Sequence, residues 1–574
     1  MKGRARAPRE EPWIPGPRDW AFCCLYAATL CSATAVFIGS VLLDGDGRDG
    51  PVPRPEPQLA PAAAAPQAAT APAPRAPSEL LPRAVWPKVS ETPRPSLASV
   101  QLWSQSPPSP SILSSPSSPS NCVAEIPLLA AKLSAGLENV SARRALELAA
   151  DAWKRLLTGK IQVEYMRKRM CSRMEDWFNT LTKFPWARPR RGRWEVTSVM
   201  VWPQAAYLHF GVKRVWSLGE YTQWADLCAA LATLGLEVLL WPFEGKKCPN
   251  IGHYQNAHII YTDYNGVHAG KAAGNLPPAD KTWLLDTFGT DGTVVEHSFF
   301  GRIPPLTDYP LHRFLTLVPG FSARNTFLGV AVAGGKDEAP LPDRQWQCVL
   351  WSKVHPWLSE KNGFPAYHSQ LLREYSKHCK VIATIDSKDT YKTGDLIRSC
   401  CPDVEIRGVL SPQEFHDLLR GSAVYVGVGE PLIAPSCFEA LSLGTHVVQP
   451  RFPEPRVLRN KPITQNWTSQ HPFLEKVPEP FAFTIDPLDV EAIASTFRTL
   501  RRAFDSVYAR GDAEAVDLRR FYSAGTYPGR EDFSIRGFLK RVAGTVSNTR
   551  TLEAADWDWE RQHHPQQLPA RAMA

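Results

Sequence analysis

Residues 407–452 read RGVLSPQEFHDLLRGSAVYVGVGEPLIAPSCFEALSLGTHVVQPRF, and this stretch decides the fold class. Its pattern predicts a short strand at Val404–Val409, then an amphipathic helix, then a buried strand at Ala423–Val428. A loop rich in glycine and proline follows, then a helix that carries Glu439 and another buried strand at Thr445–Gln449. Buried strands that alternate with helices require a parallel sheet with right-handed crossovers. The stretch therefore predicts an α/β fold.

The loop GVGEPLIAPS, residues 427–436, is the predicted ligand-binding element of this stretch. Ligands of open parallel sheets bind beyond the carboxyl ends of the strands, where this loop would lie. Gly427 and Gly429 allow the backbone to approach a ligand, and the N-terminus of the next helix favours a phosphate. Glu439 lies about one turn into that helix, within reach of a ribose diol. The arrangement predicts half of a nucleotide-sugar site.

The N-terminus predicts the cellular compartment. Trp20–Leu43 is a run of 24 residues without charge, long enough to span a bilayer as a helix. Lysine and arginine residues precede it, which predicts a cytosolic tail at residues 1–19 and a lumenal remainder. We expect an uncleaved signal anchor, the alternative being a cleaved signal peptide. Residues 44–122 are rich in proline, alanine and serine and are expected to form a disordered stalk or spacer.

Nine cysteines follow the predicted span, which permits disulfides in a lumenal setting. Because nine is odd, at least one thiol must be free or intermolecular. No spacing of cysteines and histidines resembles a zinc site. Asn139 and Asn466 begin tripeptides of the N-glycosylation pattern. The net charge of +8 over 574 residues is modest and indicates no nucleic-acid-binding patch.

Three folded regions are predicted after the stalk. Residues 123–190 are expected to be helical, because methionine and aromatic residues recur there at helical spacing. Such a stripe is typical of a helix face that packs on the catalytic domains of the protein or on a second chain. Residues 191–335 and 345–548 each alternate strands with helices, and residues 549–574 form a polar tail.

The helix Glu220–Leu234 should end at Gly235. The absence of a Gly-x-Gly-x-x-Gly fingerprint argues against a dinucleotide oxidoreductase.

Motifs across roughly residues 195–545 resemble the α-1,6-mannosylglycoprotein 6-β-N-acetylglucosaminyltransferases, glycosyltransferase family 18 of the N-acetylglucosaminyltransferase V type. The motifs that carry the resemblance are GEYTQWADLCAALATLGLEV (219–238), IIYTDYNGV (259–267), LLDTFGTD (284–291), RFLTLVPGFSARNTFLGV (313–330), NKPITQNWTSQHPF (460–473) and FTIDP (483–487). The resemblance implies a GT-B fold, in which two Rossmann-like domains face a cleft. The region 191–335 would bind the acceptor, and the region 345–548 would bind the UDP-sugar donor.

The resemblance also implies a reaction and roles for single residues. The enzyme would be an inverting hexosyltransferase that moves N-acetylglucosamine from UDP-GlcNAc to an α-mannose of N-glycans in β-1,6 linkage, without a metal or another cofactor. Glu220 would be the catalytic base, and its place in the first turn of a helix favours the ionised carboxylate. The donor-binding residues would be Glu439, Lys353, Glu430, Gly427 and Gly429, and the acceptor-binding residues Asp286, Phe288 and Lys461.

Two departures from the family pattern concern the donor loop and the acceptor. Ile433 stands where a second acidic residue is expected, and Glu430, three residues earlier, is the candidate replacement. The acceptor-stacking tryptophan of the family has no match around Pro304–Thr307. A Golgi type II membrane enzyme acting on a glycoprotein remains the leading interpretation. A GT-B transferase with another sugar or acceptor, a catalytically silent lumenal glycan-binding protein, and a homo-oligomeric state all stay open.

Overall fold

Two β-sheets organise the chain, and a computed structural model describes them within residues 122–158, 161, 163–183, 198–204, 219–241, 248–290, 306–319, 325–332, 334, 340–352, 367–385, 393–456, 467–512 and 515–547. The predicted cytosolic tail, membrane span and stalk lie outside these ranges, apart from Cys122, and so does the polar tail. Of the helices that are described, none combines the length and apolar character that a membrane crossing requires.

The first sheet has six parallel strands in the order β2-β1-β3-β4-β5-β6. Its strands are β1 (Ser198–Trp202), β2 (Glu237–Leu240), β3 (Ile259–Asp263), β4 (Thr282–Leu285), β5 (Phe314–Thr316) and β6 (Thr326–Phe327). The sequence pattern predicts strands at Glu195–Trp202, Glu237–Trp241, Ala257–Thr262, Thr282–Asp286 and Phe327–Ala331. The first four overlap β1 to β4, the fifth shares only Phe327 with β6, and β5, which has three residues, was missed. So short a buried run shows too few residues for a period of two to be recognised.

Four helices precede this sheet and form a layer over it. They are α1 (Cys122–Ala135), α2 (Val140–Leu157), α3 (Glu164–Ser172) and α4 (Met174–Lys183). The predicted stripe is buried in one core with the first sheet and with α5 (Gly219–Thr233), its members being Val163, Met166, Met170, Met174, Trp177 and Leu181. A disulfide between Cys122 and Cys171 joins α1 to α3. The stripe thus packs on the body of the protein itself.

Helix α5 is buried on every side from Tyr221 to Thr233, although its sequence predicted a single apolar face. The reason is the layer of preceding helices, which covers the side of α5 that faces away from the sheet. A helix enclosed in this way shows weak amphipathic periodicity. Gly235 follows with φ of +77°, the left-handed conformation that the predicted helix end requires. The helices α6 (Ile251–Asn256) and α7 (Tyr264–Ala272) complete this part.

The second sheet has seven strands, six of which follow the path β12-β11-β10-β7-β8-β9, while β13 pairs with β11. Its strands are β7 (Gln345–Trp351), β8 (Lys380–Ala383), β9 (Glu405–Ile406), β10 (Ser422–Gly427), β11 (His446–Arg456), β12 (Trp467–Ser469) and β13 (Ala482–Ile485). All its pairs are parallel except β11 with β12. The helices α8 (Tyr367–His378), α9 (Thr393–Cys400), α10 (Pro412–Arg420) and α11 (Ser436–Ser442) connect these strands. The parallel α/β organisation predicted from residues 407–452 is confirmed.

Helix α10 begins where the sequence predicted it. Ser411 accepts a hydrogen bond from the Glu414 backbone N–H, and the Glu414 side chain accepts one from the Ser411 N–H. This capping box satisfies two backbone donors at the helix start. A second disulfide joins Cys348 of β7 to Cys379 after α8, so five of the nine cysteines stay outside the two disulfides.

The last helices are α12 (Val490–Tyr508), α13 (Val516–Ala524) and α14 (Ile535–Ser547). The predicted domain boundary placed all three in the second domain. However, Phe538 and Val542 of α14 are buried in the core of the first sheet, and the Thr545 hydroxyl lies 2.6 Å from the Tyr261 hydroxyl of β3. The chain therefore returns to the first sheet at its end, which is a long-range connection that local patterns do not report.

Candidate active site

A cavity lies at the carboxyl ends of β7, β8 and β10, where open parallel sheets bind ligands. Trp351 and Ser352 line it from the end of β7, and Thr384 lines it from the end of β8. Helix α11 and the residues before it contribute Pro435 and Glu439. Tyr165 of α3 and Gly219 of α5 complete the wall from the other half of the protein. The cavity is thus built by three parts of the chain that are far apart in sequence.

Two residues that line the cavity carry buried polar atoms for which the described part of the chain provides no partner. The Trp351 ring stacks on Tyr425 with centroids 5.6 Å apart and planes 12° apart. Among the residues that the structure describes, neither the Trp351 indole N–H nor the Ser352 hydroxyl has a hydrogen-bond partner, although both side chains are buried. Buried polar groups are nearly always satisfied, so this pair is suited to a ligand with hydrogen-bonding groups.

Glu220 lies in the first turn of α5 with its side chain exposed. The residue before it, Gly219, lines the cavity, and a Cβ atom there would lie 3.0 Å from Cδ of Pro435. The start of α5 therefore touches the segment that leads into α11. The sequence placed Glu220 in the first turn of a helix at a cleft, and the structure places it next to a residue of the cavity wall.

Glu439 is buried in α11, with 4% of its surface exposed, and lines the same cavity. Its Oε1 accepts hydrogen bonds from Arg169 Nη1 at 2.5 Å and from Arg173 Nη2 at 3.0 Å, and His416 Nε2 lies 3.4 Å from it. Burial alone raises the pKa of Glu439, but Arg169, His416 and Arg173 together hold that pKa well below its usual range. The carboxylate is therefore ionised and held in one position.

Arg169 and Arg173 are the site residues that the sequence analysis missed. Both are buried, and both reach from α3 into the second half of the protein. Arg169 also makes a bidentate pair with Asp226 of α5, with Nε–Oδ1 of 2.8 Å and Nη2–Oδ2 of 3.0 Å. One signal was present: Asp226 belongs to the quoted motif GEYTQWAD on a strongly apolar helix, where a buried carboxylate requires a cation.

The glycine-rich loop differs in detail from its predicted role as a ligand cradle. A Cβ atom at Gly427 would lie 2.2 Å from Oε1 of Gln470, so the space beside this glycine holds a side chain of the protein. The Gly429 N–H donates to the same Oε1 at 2.8 Å, and Gln470 Nε2 donates to the Pro431 carbonyl. Glu430 is buried and accepts from the Leu432 N–H at 3.0 Å. Contacts within the protein therefore shape this loop.

Asp286 and Phe288 follow β4 at the carboxyl edge of the first sheet. Asp286 is buried, which raises its pKa well above the usual range, although hydrogen bonds from the backbone N–H groups of Phe288 and Gly289 lower it. The Phe288 ring is half-buried against the core of the second sheet. Both residues thus lie at an edge of the first sheet that faces the second half.

The other predicted site residues give no further test. Lys353, Lys461 and Asn466 lie outside the described residues. Asn139 is exposed and caps α2, since its side chain accepts from the Ala142 N–H at 3.1 Å. Within the described ranges, no group of three or more histidine, cysteine, aspartate or glutamate residues is placed to hold a metal ion.

Comparison with known proteins was made once this geometry was established. The model described as Glycosyltransferase family 18 matches residues 127–506, which is about two thirds of the chain. This match includes α2 to α11 and therefore every described residue that lines the cavity.

Curated relatives share about a quarter of their residues with this chain. The chain is 27% identical over 308 residues to an alpha-1,6-mannosylglycoprotein 6-beta-N-acetylglucosaminyltransferase of Caenorhabditis elegans, covering 47% of this chain and 44% of the relative. It is 26% identical over 322 residues to the A form of that enzyme from Cricetulus griseus, covering 49% of this chain and 40% of the relative. The matches therefore span less than half the length of these relatives.

Among solved structures, the chain is similar to AviGT4, a glycosyltransferase involved in avilamycin A biosynthesis. The sequence identity is 14% and the TM-score is 0.37, over 61% of this chain and 97% of that one. So weak a similarity adds nothing to the sheet topology described above, which stands on its own strands.

Proposed function

The chain belongs to glycosyltransferase family 18, and from this premise we propose that it is an inverting glycosyltransferase of GT-B type. Its donor would be UDP-GlcNAc, and its acceptor an α-mannose of N-glycans on glycoproteins, to which it would add N-acetylglucosamine in β-1,6 linkage. The names of the relatives support this reaction. The two parallel sheets with a cavity at the carboxyl ends of the second support the fold type.

One observation carries the proposal: a single cavity is lined by Glu439 and by Gly219, the residue before Glu220. The groups that bind the donor and the carboxylate that activates the acceptor must belong to one site, so that the acceptor hydroxyl is held beside the anomeric carbon. Glu439 comes from the second half and Glu220 from the first, and the cavity brings the two halves together.

The donor would bind through its ribose at Glu439. Both arginine contacts and the histidine contact of Glu439 are made to Oε1, so Oε2 is the atom that would accept from the ribose hydroxyls. The Ser352 hydroxyl and the Trp351 indole N–H would offer further hydrogen bonds in the same cavity. Lys353 follows Ser352 directly and would contribute charge toward the diphosphate.

The chemical step requires one proton transfer and one displacement. The Glu220 carboxylate would take the proton of the mannose 6-hydroxyl as that oxygen attacks the anomeric carbon of the donor. The bond between the anomeric carbon and the phosphate oxygen breaks, UDP leaves with the electron pair, and the configuration inverts. Asp286 would bind hydroxyl groups of the acceptor and Phe288 a face of its sugar ring, and Lys461 is the third acceptor-binding residue that the resemblance implies. No metal ion or other cofactor is assigned to the reaction.

The cellular setting is part of the proposal. A single N-terminal anchor at Trp20–Leu43 would hold the protein in the Golgi membrane, with residues 44–122 as a stalk and the catalytic region in the lumen. Asn139 is exposed at a helix start, where a glycan would be accommodated. A glycoprotein acceptor would be met in the same compartment.

The Glu220→Gln variant tests the proposal. We expect turnover with UDP-GlcNAc and a GlcNAc-terminated biantennary glycan to fall by roughly 10²- to 10⁴-fold, because a general base contributes about that much. UDP affinity should stay within about twofold, since Glu220 would not touch the nucleotide. The matched control is Glu237→Gln, which changes an exposed glutamate at the start of β2 and should leave turnover unchanged.

Three results would contradict the proposal. Loss of UDP binding in Glu220→Gln would assign this residue to the donor site or to folding. Transfer from another UDP-sugar in preference to UDP-GlcNAc would keep the fold type and change the donor. Glycan binding without any turnover by the wild-type protein would make it a binding protein.

A further inference from the structure

A buried group of charges joins the helical layer to both sheets. Its members are Arg169 of α3, Arg173 directly after α3, Asp226 of α5 and Glu439 of α11, each with less than a tenth of its surface exposed. Two positive and two negative side chains balance in charge, as burial requires, because an unpaired buried charge is strongly unfavourable. The ring of His416, whose pKa is lowered by burial, lies 3.2 Å from Arg173 Nη2.

The geometry of this group leaves little freedom to Glu439. The two hydrogen bonds between Arg169 and Asp226 fix the plane of the Arg169 guanidinium, and its remaining nitrogen Nη1 points at Glu439. Arg173 donates to Glu439 from one nitrogen and to the Ala331 carbonyl from the other, at 3.0 and 2.5 Å. Two guanidinium groups therefore hold one carboxylate oxygen from two directions.

The same group includes the helix of the proposed catalytic base. Asp226 lies on α5, in whose first turn Glu220 is found, and Asp226 also accepts from the Ala331 N–H at 2.9 Å. The Ala331 carbonyl in turn accepts from Arg169 at 3.0 Å. Ala331 follows the last strand of the first sheet, so the contacts meet where the chain leaves that sheet.

We propose that Arg169 and Arg173 are positioning residues of the donor site, which act through Glu439 and make the helical layer part of that site. This inference rests on the proposed function, since it assumes that Glu439 binds the ribose of a uridine nucleotide. The arginines hold Oε1 so that Oε2 faces the cavity. Through Asp226 they also set the position of α5 relative to the bound donor.

Selectivity for the ribose hydroxyls tests this role more sharply than affinity does. The affinities of the wild-type full-length protein for UDP and for 2′,3′-dideoxy-UDP are measured by calorimetry, and their ratio reports the hydrogen bonds that Glu439 makes to the ribose. We expect Arg173→Met to reduce this ratio about tenfold, because a hydrogen bond to a charged group contributes roughly that factor or more. A merely structural change would weaken both nucleotides equally and leave the ratio unaltered.

Three further variants complete the experiment. Arg173→Lys keeps the positive charge and one hydrogen-bond donor, so its ratio of affinities for UDP and 2′,3′-dideoxy-UDP should fall less than that of Arg173→Met. It replaces Arg173→Met in the test if that variant does not fold. In a Glu439→Gln background, Arg173→Met should change the ratio no further, because the residue through which it acts is already altered. Lys168→Met, a neighbour on α3 whose ammonium pairs with Glu164 at 2.6 Å, should keep the wild-type ratio.

Two outcomes would overturn the inference in distinguishable ways. If the wild-type protein prefers UDP and Arg173→Met keeps that preference, the arginines stabilise the fold without positioning Glu439, and the proposed function survives. If the wild-type protein binds neither nucleotide, the proposed function fails and this inference fails with it.

Discussion

Helix α3 and the glycine-rich loop at residues 427–436 make contacts that their compositions did not predict. The loop has the composition of a ligand cradle, yet the side chain of Gln470 occupies the space beside Gly427. Helix α3 has the composition of a packing helix, yet its Arg169, and Arg173 at its C-terminal end, contact Glu439 at the cavity wall. Composition alone does not distinguish a backbone that approaches a ligand from one that approaches another part of the protein.

This difference arises because a glycine and a buried arginine require different surroundings. A glycine permits close approach by any group, and here the group is an amide side chain that also accepts from the Gly429 N–H. A buried arginine needs anionic or carbonyl partners, and those of Arg169 lie on α5, on α11 and in the segment after β6. Polar groups buried in a packing helix are therefore stronger evidence of a site than glycines in a loop.

The largest expected effect is on the buried charge group. Arg169→Met would leave Asp226 and Glu439 without their shared partner, and we expect the free energy of unfolding to fall by about 3–5 kcal/mol. Urea unfolding followed by circular dichroism measures it, with Lys168→Met as the control on the same helix. A loss below about 1 kcal/mol would mean that α3 is only a packing helix, which would remove the contrast with the loop.

A smaller effect is expected in the loop. Gly427→Ala should lower the free energy of unfolding by about 1–3 kcal/mol, because its methyl group would meet Gln470, which two hydrogen bonds hold in place. In combination with Gln470→Ala, the loss should be smaller than the sum of the two single losses, since the second change makes room for the first.

The control for the loop is Gly136→Ala, at an exposed position where a Cβ atom would meet nothing closer than 3.9 Å. It should leave the stability nearly unchanged. If Gly427→Ala were equally stable and instead lost UDP affinity, the loop would be a ligand cradle after all.

The smallest expected effect is the pH dependence of stability that Asp286 contributes. This buried carboxyl accepts hydrogen bonds from backbone N–H groups, whereas the Glu439 carboxylate accepts them from guanidinium groups. Because burial raises its pKa, the folded protein binds a proton more readily than the unfolded chain. Wild-type stability should therefore decrease as the pH rises through the folded pKa. Asp286→Asn lacks this titration and should be more stable above that pKa, on the order of 1 kcal/mol.

Thermal unfolding between pH 4 and 9 measures this difference, which should grow with pH and vanish at the acidic end. Asp280→Asn, at an exposed position, is the control and should follow the wild-type curve. A constant difference across the range would show that the asparagine acts through its hydrogen bonds and not through the charge.

Much of the fold follows from short-range patterns. The alternation within residues 407–452 predicted the parallel strands β10 and β11 and the helix between them. The spacing of apolar residues predicted α5 to within one residue at each end, and the stripe of α3 and α4 is buried as expected. Strand β5 was missed because it has three residues, and α14 packs in the core of the first sheet although the predicted boundary placed it with the second domain.

The candidate site also has residues that the sequence predicted and residues that it did not. Motif resemblance selected Glu220 and Glu439, and the structure places Glu439 and the neighbour of Glu220 in one cavity wall. The partners of Glu439 were not predictable, since Arg169 stands 270 residues before it. Arg169 looked like one of the solvated charges between the members of a packing stripe.

Most strands and helices, the family and the residues that its motifs name can be read from the sequence. The strands and helices follow from spacings of a few residues, because hydrogen bonding and burial within a single helix or strand repeat over such distances. Three features are visible only in the folded chain: which charges meet, that Gln470 fills the space beside Gly427, and that α3 reaches the cavity. Such contacts depend on how two sheets and a helical layer are packed against one another, and no local pattern contains that information.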